Sequence, residues 1–293
     1  MISVDDRTLE NMKLHTLGTG GPRPDPHRNS TCHVLEIGSQ RLMFDAGRGA
    51  IQSIAQKGLP FASLGPLFVS HLHVDHIGEL ANYLITSWIA GRRQPLRIFG
   101  PPGTAGIVEV LLKSVYDRDI AFRTEGETAF GPFIGAEVTE VRAGPVLDAG
   151  GWKVSCEEME HGHGLPFGQQ FLSRWICLGF RVEADGKVFS FGGDGVMCDP
   201  LVRLASNADL HLQCCYLARS EMQDSEHFRG LATYTLACSD TAGKIAARAG
   251  AKRLVLTHFR GTTPALLREI EDDVRRDYAG PVHLANDLDE FDF

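Results

Sequence analysis

An α/β chain of two sheets packed face to face, with helices on the outer faces, is what the sequence predicts from three observations. Short β-rich runs fall in two blocks, one at the start of the chain and one from residue 136 onward. Amphipathic helical segments follow each block, the order expected when helices cover the outside of two packed sheets. No Ser/Pro-rich hinge, charge run or low-complexity tract divides the 293 residues, so residues 1–293 read as a single domain.

In chain order, Lys13 to Gly18, Cys32 to Ile37 and Arg41 to Phe44 are β-rich runs separated by Gly/Pro/Asn/Ser connections, a meander of strands. From Asp75 a helix opens whose Ile77, Leu80, Ala81, Leu84, Ile85, Trp88 and Ile89 recur at helical spacing, one continuous buried stripe. Arg97 to Phe99 reads as a strand, and Pro102 to Val115 as a helix opened by proline, whose fixed φ suits a first turn. Ala136 to Val141, Lys153 to Met159, Ile176 to Val182, Lys187 to Phe191 and Asp209 to Cys215 read as strands. A helix over Asp240 to Ala249, a strand over Arg253 to Thr257, a helix over Pro264 to Arg276 and a last strand at Val282 to Leu284 complete the pattern.

Composition narrows the class. Hydrophobic residues make up 43% and charged residues 23%, which excludes fibrous and disordered chains. The 29 basic against 37 acidic residues give a formal charge of -8, which offers no global attraction to a phosphate backbone or an anionic membrane. Seven cysteines, at 32, 156, 177, 198, 214, 215 and 238, form no C-x-x-C pair and so neither a disulfide framework nor a zinc ribbon. The opening stretch MISVDDRTLENMK lacks the apolar run of a secretory signal, and the longest uncharged run, Gly58 to Val74, is broken by Pro60 and Pro66 and cannot span a membrane. A soluble protein of a reducing compartment, the cytoplasm, is expected.

The twelve histidines concentrate meaning at one place. Ser70-His71-Leu72-His73-Val74-Asp75-His76 follows the apolar run Leu67-Phe68-Val69 and precedes the helix, a strand-to-helix turn. In extended backbone His71 and His73 point to one side, while Asp75 and His76 sit where the chain turns. Imidazole and carboxylate groups without thiolates suit a catalytic zinc, manganese or iron site better than a structural zinc site.

His71-Leu72-His73-Val74-Asp75-His76 resembles the HxHxDH signature of the metallo-β-lactamase-fold hydrolases. Leu17-Gly18-Thr19-Gly20-Gly21 and Phe44-Asp45-Ala46-Gly47 resemble that family's first glycine turn and early strand-end aspartate. Glu160-His161-Gly162-His163, Phe191-Gly192-Gly193-Asp194-Gly195 and Leu256-Thr257-His258-Phe259 fill its later slots in order. The resemblance implies a four-layer αβ/βα sandwich holding two divalent metal ions, zinc foremost, with manganese or iron as alternatives. His71, His73 and His161 would hold the first ion and Asp75, His76 and His258 the second, with Asp194 bridging and Asp45 orienting a ligand. His161 and His163 are alternatives for one slot, with His161 preferred because it lies nearer its strand. A metal-bridging hydroxide would be the nucleophile, and Asp75 would orient it and later accept a proton. Cys214 and Cys215 read as core.

The motifs look most like the branch of ribonuclease Z and its small arylsulfatase-like relatives, so RNA cleavage is the rival reading. Three features weigh against it: Asp194 follows His161 by only 33 positions, leaving little room for a transfer-RNA-gripping arm; the net charge is negative; and no histidine stands in Thr235 to Asp240, where that nuclease has a proton donor. The acidic partner expected after Asp209-Leu210 is replaced by Gln213-Cys214-Cys215. The expected activity is therefore hydrolysis of an ester-type bond (sulfate, phosphodiester, carboxyl ester or lactone) in a small aromatic or apolar molecule, with nucleic acid not expected as partner. Ribonuclease Z-like processing of transfer RNA 3' ends is the alternative, and a non-haem iron oxygenase or non-catalytic binder of the same fold the second. Phe167, Phe171 and Trp175 could line an aromatic pocket or be core, His227 could serve as acid or lid residue, and the relatives suggest a homodimer.

Overall fold

The computed structural model describes residues 12–261 and 263–293. Segment 1–11, on which the reading of a missing secretory signal rests, lies outside them. Among the described residues no helix is long and apolar enough to cross a membrane.

Two seven-stranded sheets form. In the first, β1 (Met12–Gly18), β2 (Cys32–Ile37) and β3 (Gln40–Phe44) are antiparallel, and β4 (Leu67–Phe68), β5 (Leu96–Gly100) and β6 (Ala136–Glu140) continue in parallel. In the second, β7 (Gly144–Asp148), β8 (Trp152–Glu158), β9 (Leu178–Ala184) and β10 (Lys187–Phe191) are antiparallel, followed in parallel by β11 (Leu210–Cys214), β12 (Leu254–Thr257) and β13 (Val282–Leu284). The last strand is not β13 but β14 (Asp289–Asp292), which returns to the first sheet antiparallel to β1. Its sequence DEFD has no β signature; ion pairs from Lys13 to Glu290 (3.3 Å) and Asp292 (3.6 Å) accompany the pairing.

The faces between the sheets are apolar. Phe44, Phe68 and Phe99, from β3, β4 and β5, stack with ring centroids 5.3 Å apart, and Phe180, Phe189 and Phe191 of the second sheet pack against Phe44. Each such ring, fully buried, stabilises the fold by about 1.5–3 kcal/mol. Helices α1 (Ala50–Lys57) and α3 (Leu80–Ile89) cover the first sheet, while α7 (Asp199–Leu204), α10 (Ser239–Ala249) and α11 (Pro264–Asp277) cover the second. The result is the four-layer sandwich expected from the sequence. Shorter helices fill the connections: α4 (Thr104–Val110), α5 (Asp117–Ala121), α6 (Gln169–Leu172), α8 (Arg219–Asp224) and α9 (Glu226–Tyr234).

Two predicted helices differ in detail. The stripe from Asp75 to Ile89 is not one helix but α2 (Val74–Ile77) and α3, broken at Gly78 and Glu79. Tertiary hydrogen bonds decide this: Ala46 N–H donates to the His76 carbonyl (2.7 Å), and Glu79 N–H donates to the Ala46 carbonyl (2.8 Å). The Glu79 carboxylate then accepts from the Gly49 and Ile51 N–H groups at the start of α1. The helix expected from Pro102 begins at Thr104, because Gly103 is left-handed (φ 104°), and beyond Val110 it widens into a π-helical turn over Leu111–Val115.

Candidate metal centre

Strand ends deliver the site. Parallel strands align their C-terminal edges, so the segments leaving β3, β4, β10 and β12 emerge together, carrying Asp45, the His71–His76 turn, Asp194 and His258. His161 follows β8 on the same edge. The Leu178 N–H donates to the Ser70 carbonyl (2.8 Å), tying the two sheets at this point. Two glycines permit the close approach: a Cβ on Gly47 would collide with the Asp75 carbonyl oxygen, and one on Gly21 would lie 3.1 Å from His258 Cε1.

Three imidazoles form the first cluster. His73 Nδ1 lies 2.9 Å from His71 Nε2 and 3.3 Å from His161 Nε2. Burial holds the His71 imidazole well below its usual range, lowers His73, and presses His161 down to about 4. These rings are therefore neutral at pH 7, the form that ligates metal. The second cluster is Asp75, His76 and His258, with Asp194 between the two. Asp194 Oδ2 lies 3.2 Å from His258 Nε2, 3.5 Å from His76 Nε2 and 4.0 Å from His71 Nε2, and Asp75 Oδ2 lies 3.1 Å from His258 Nε2. Burial opposes charge here too, but the neighbouring His258 and His76 imidazoles hold both carboxylates far below their usual range. Against the lowering effect of burial, Asp45 and Asp194 in return raise His76, and Asp194 and Asp75 raise His258.

This donor set fits divalent cations. Seven oxygen and nitrogen donors converge without a thiolate among the expected ligands, and His76 Nε2 is buried with no hydrogen-bond partner among the described residues. The fold itself implies divalent metal ions.

Asp45 stands behind the cluster. Its carboxylate accepts from the Ser70 N–H (2.7 Å), the Ser70 hydroxyl (2.8 Å) and His76 Nδ1 (2.7 Å), which leaves His76 Nε2 to face the donors. Its backbone is left-handed (φ 58°), as is that of His258 (φ 61°), a conformation Asp and His adopt more readily than most residues. Replacing Asp45 by Asn keeps the shape but offers an amide to a ring that needs an acceptor. Metal titration of Asp45→Asn should show affinity weakened by about 10- to 100-fold, and an unchanged binding curve would remove Asp45 from the site.

Every residue singled out from the sequence can now be located. His71, His73, Asp75, His76, His161, Asp194 and His258 are brought together. His163 is not: its Nδ1 accepts the His161 N–H (3.0 Å) and its Nε2 donates to the Trp175 carbonyl (3.2 Å). His227 lies on α9 and is not one of the converging donors. Cys214 is buried as expected of core, yet its thiol lies within 4.8 Å of donor atoms of Asp194 and His258. Residues 235–240 contribute no histidine, but the Thr235 carbonyl accepts from His161 Nδ1 (2.7 Å) and fixes that ring. Sequence reasoning missed Ser70 and Thr235. A serine directly before the motif was a weak signal for the first, and a backbone carbonyl leaves none for the second.

The beta-lactamase superfamily domain model matches residues 40–259. A protein named Ribonuclease Z from Mycobacterium bovis is 33% identical over 285 residues, covering 94% of this chain and 96% of that one. Among solved structures, a metallo-β-lactamase fold protein from Bacillus subtilis superposes with a TM-score of 0.73 at 18% identity, over 97% of this chain and 99% of the other. Human tRNase Z, short form, superposes with a TM-score of 0.67 at 24% identity, over 95% of this chain and 98% of the other.

The relatives named Ribonuclease Z overturn the expectation of a small-molecule substrate with nucleic acid as an unexpected partner. The net charge of -8 misled because it sums the whole surface, whereas a polyanion meets the local field. Cations do stand in the segments flanking the site: Arg48 follows Gly47 and donates to the Ser30 hydroxyl (3.0 Å), and Arg28 lies over the Phe259 ring.

Proposed function

The chain belongs to the metallo-β-lactamase superfamily, in the hydrolase branch that includes ribonuclease Z, and from that premise we propose that it is a metal-dependent endoribonuclease that cleaves a phosphodiester bond at the 3' side of transfer RNA. The full-length similarity to proteins named Ribonuclease Z carries this reading, and the donor set agrees with it.

His71, His73 and His161 would hold one cation and Asp75, His76 and His258 the other, with Asp194 shared between them. Two divalent cations held there, zinc foremost, would supply Lewis acidity toward the phosphoryl oxygens and lower the pKa of a water toward 7. The chain's own groups do the rest. Asp75 would orient the attacking water and take up its proton. Asp45, through His76 Nδ1, fixes the ring that faces the carboxylates. Thr235 does the same for His161 through its carbonyl. By the sequence resemblance, Gln213-Cys214-Cys215 and Thr235 to Asp240 stand where that nuclease would carry its acid and histidine, so leaving-oxygen protonation would not use that pair. Seven buried free thiols fit a cytoplasmic, reducing location.

Purified protein loaded with zinc or manganese, incubated with a precursor transfer RNA, should release a 3' trailer by a single internal cut. Intact RNA beside turnover of aryl sulfate, carboxyl ester or lactone would sink the reading.

A further inference from the structure

Beside the metal centre stands a run of aromatic rings. Phe171 lies on the single turn α6, and Phe167 and Trp175 lie in the segments just before and just after it. Their rings follow one another: Phe167 to Phe171 at 4.5 Å between centroids, and Phe171 to Trp175 at 5.5 Å with planes only 19° apart. Trp175 in turn lies 4.8 Å from the His73 ring and 6.1 Å from that of His161. The row therefore runs from the surface to the donors of the first cluster.

Its inner end is clamped and its outer end is open. Trp175 Nε1 donates to the His161 carbonyl (2.8 Å), and the Trp175 carbonyl accepts from His163. Phe167 and Phe171 remain 42% exposed, which is high for rings that could have been sealed by neighbours. Guanidinium groups stand in the neighbouring segments: Arg174 is exposed just before Trp175 in the chain, and Arg142, which also pairs with Glu158 (3.5 Å), reaches the Ser173 carbonyl (3.4 Å). Flat π-faces in series with flanking guanidinium groups are what unpaired nucleotides require, because every base has a face to stack and every linkage a phosphate to neutralise.

We propose that Phe167, Phe171 and Trp175 form a stacking platform for unpaired nucleobases of an RNA strand, holding the nucleotides next to the bond presented to the metal centre. This rests on the RNA reading above and adds to it a subsite built from residues 167–175. His163 then serves as a buttress that holds Trp175, and with it the inner end of the row, against His161.

The test is binding, read separately from cleavage. A short fluorescein-labelled single-stranded RNA with phosphorothioate linkages is titrated with metal-loaded wild type, Phe171→Ala and Phe171→Trp, with anisotropy as readout. Phe171→Ala should weaken binding by roughly tenfold and Phe171→Trp should restore it, since stacking is tolerant of ring type. An oligomer made abasic at the stacked position should bind wild type more weakly than the intact strand but show little further loss with Phe171→Ala, the mark of two changes removing one contact. Equal affinity of wild type and Phe171→Ala, or a loss that tryptophan does not restore, overturns the platform. Cleavage of precursor transfer RNA by wild type is scored in parallel; its absence would overturn the nuclease reading, while the anisotropy result still decides the platform.

Discussion

Asp194→Ala is expected to lose bound metal and activity together, with occupancy falling below two cations per chain and the rate of RNA cleavage by about 10³-fold, since bridging charge and Lewis acidity are each worth several kcal/mol in the transition state. The carboxylate is 4% exposed, and its Oδ2 lies 3.2 Å from His258 Nε2 and 3.5 Å from His76 Nε2, between the two clusters. That backbone is held closely. Gly193 is left-handed (φ 60°), and a Cβ there would lie 2.6 Å from the Leu178 carbonyl oxygen. Asp194→Asn keeps an oxygen donor and discards the charge, and should fall between wild type and Asp194→Ala. Elemental analysis and single-turnover cleavage check both. Full occupancy and full rate in the alanine variant would show that Asp194 is not shared between the two clusters.

A comparison of His161→Ala with His163→Ala separates two residues that the sequence could only rank. His161 is buried, its Nε2 faces His73 Nδ1 at 3.3 Å, and its Nδ1 is fixed by the Thr235 carbonyl. Removing it takes one of three imidazoles from the first cluster and should cost about 10²- to 10³-fold in rate, with loss of one cation. His163 touches the His161 backbone and Trp175, so its loss loosens the support and leaves the donors in place. Under about tenfold is expected, the lower end of effects seen for groups behind a metal ligand. Metal content per chain is the decisive measurement. The reverse ranking would move the ligand role to His163.

Much of this site was legible in the chain alone. His71, His73, Asp75 and His76 share one turn, so spacing alone suffices to bring them together. Asp45, Asp194 and His258 each follow an apolar run, and a residue that closes a strand is delivered to the sheet edge wherever that strand lies. His161 against His163 was legible only as a preference, because a glycine between them lets either ring turn inward; the choice is made by Thr235, 74 positions away. The aromatic row was visible as three residues with two readings, and only the ring distances and exposure separate a platform from core. The substrate class was misjudged for a related reason: composition reports a sum, and recognition depends on where the charges and rings stand.

Local pattern by itself determined the two blocks of strands, the outer helices and the ordered metal motifs, since apolar periodicity and strand-end polarity are properties of neighbours in the chain. It did not determine that β14 would cross back to β1, that the long amphipathic stripe would break at Gly78 and Glu79, or which histidine would complete the first cluster. The last two were decided by hydrogen bonds between segments far apart in sequence, Ala46 with His76, Glu79 with Gly49 and Ile51, and Thr235 with His161, and the first by the antiparallel ladder of β14 on β1. A buried polar group must find a partner, and the packed sheets dictate which partner is within reach.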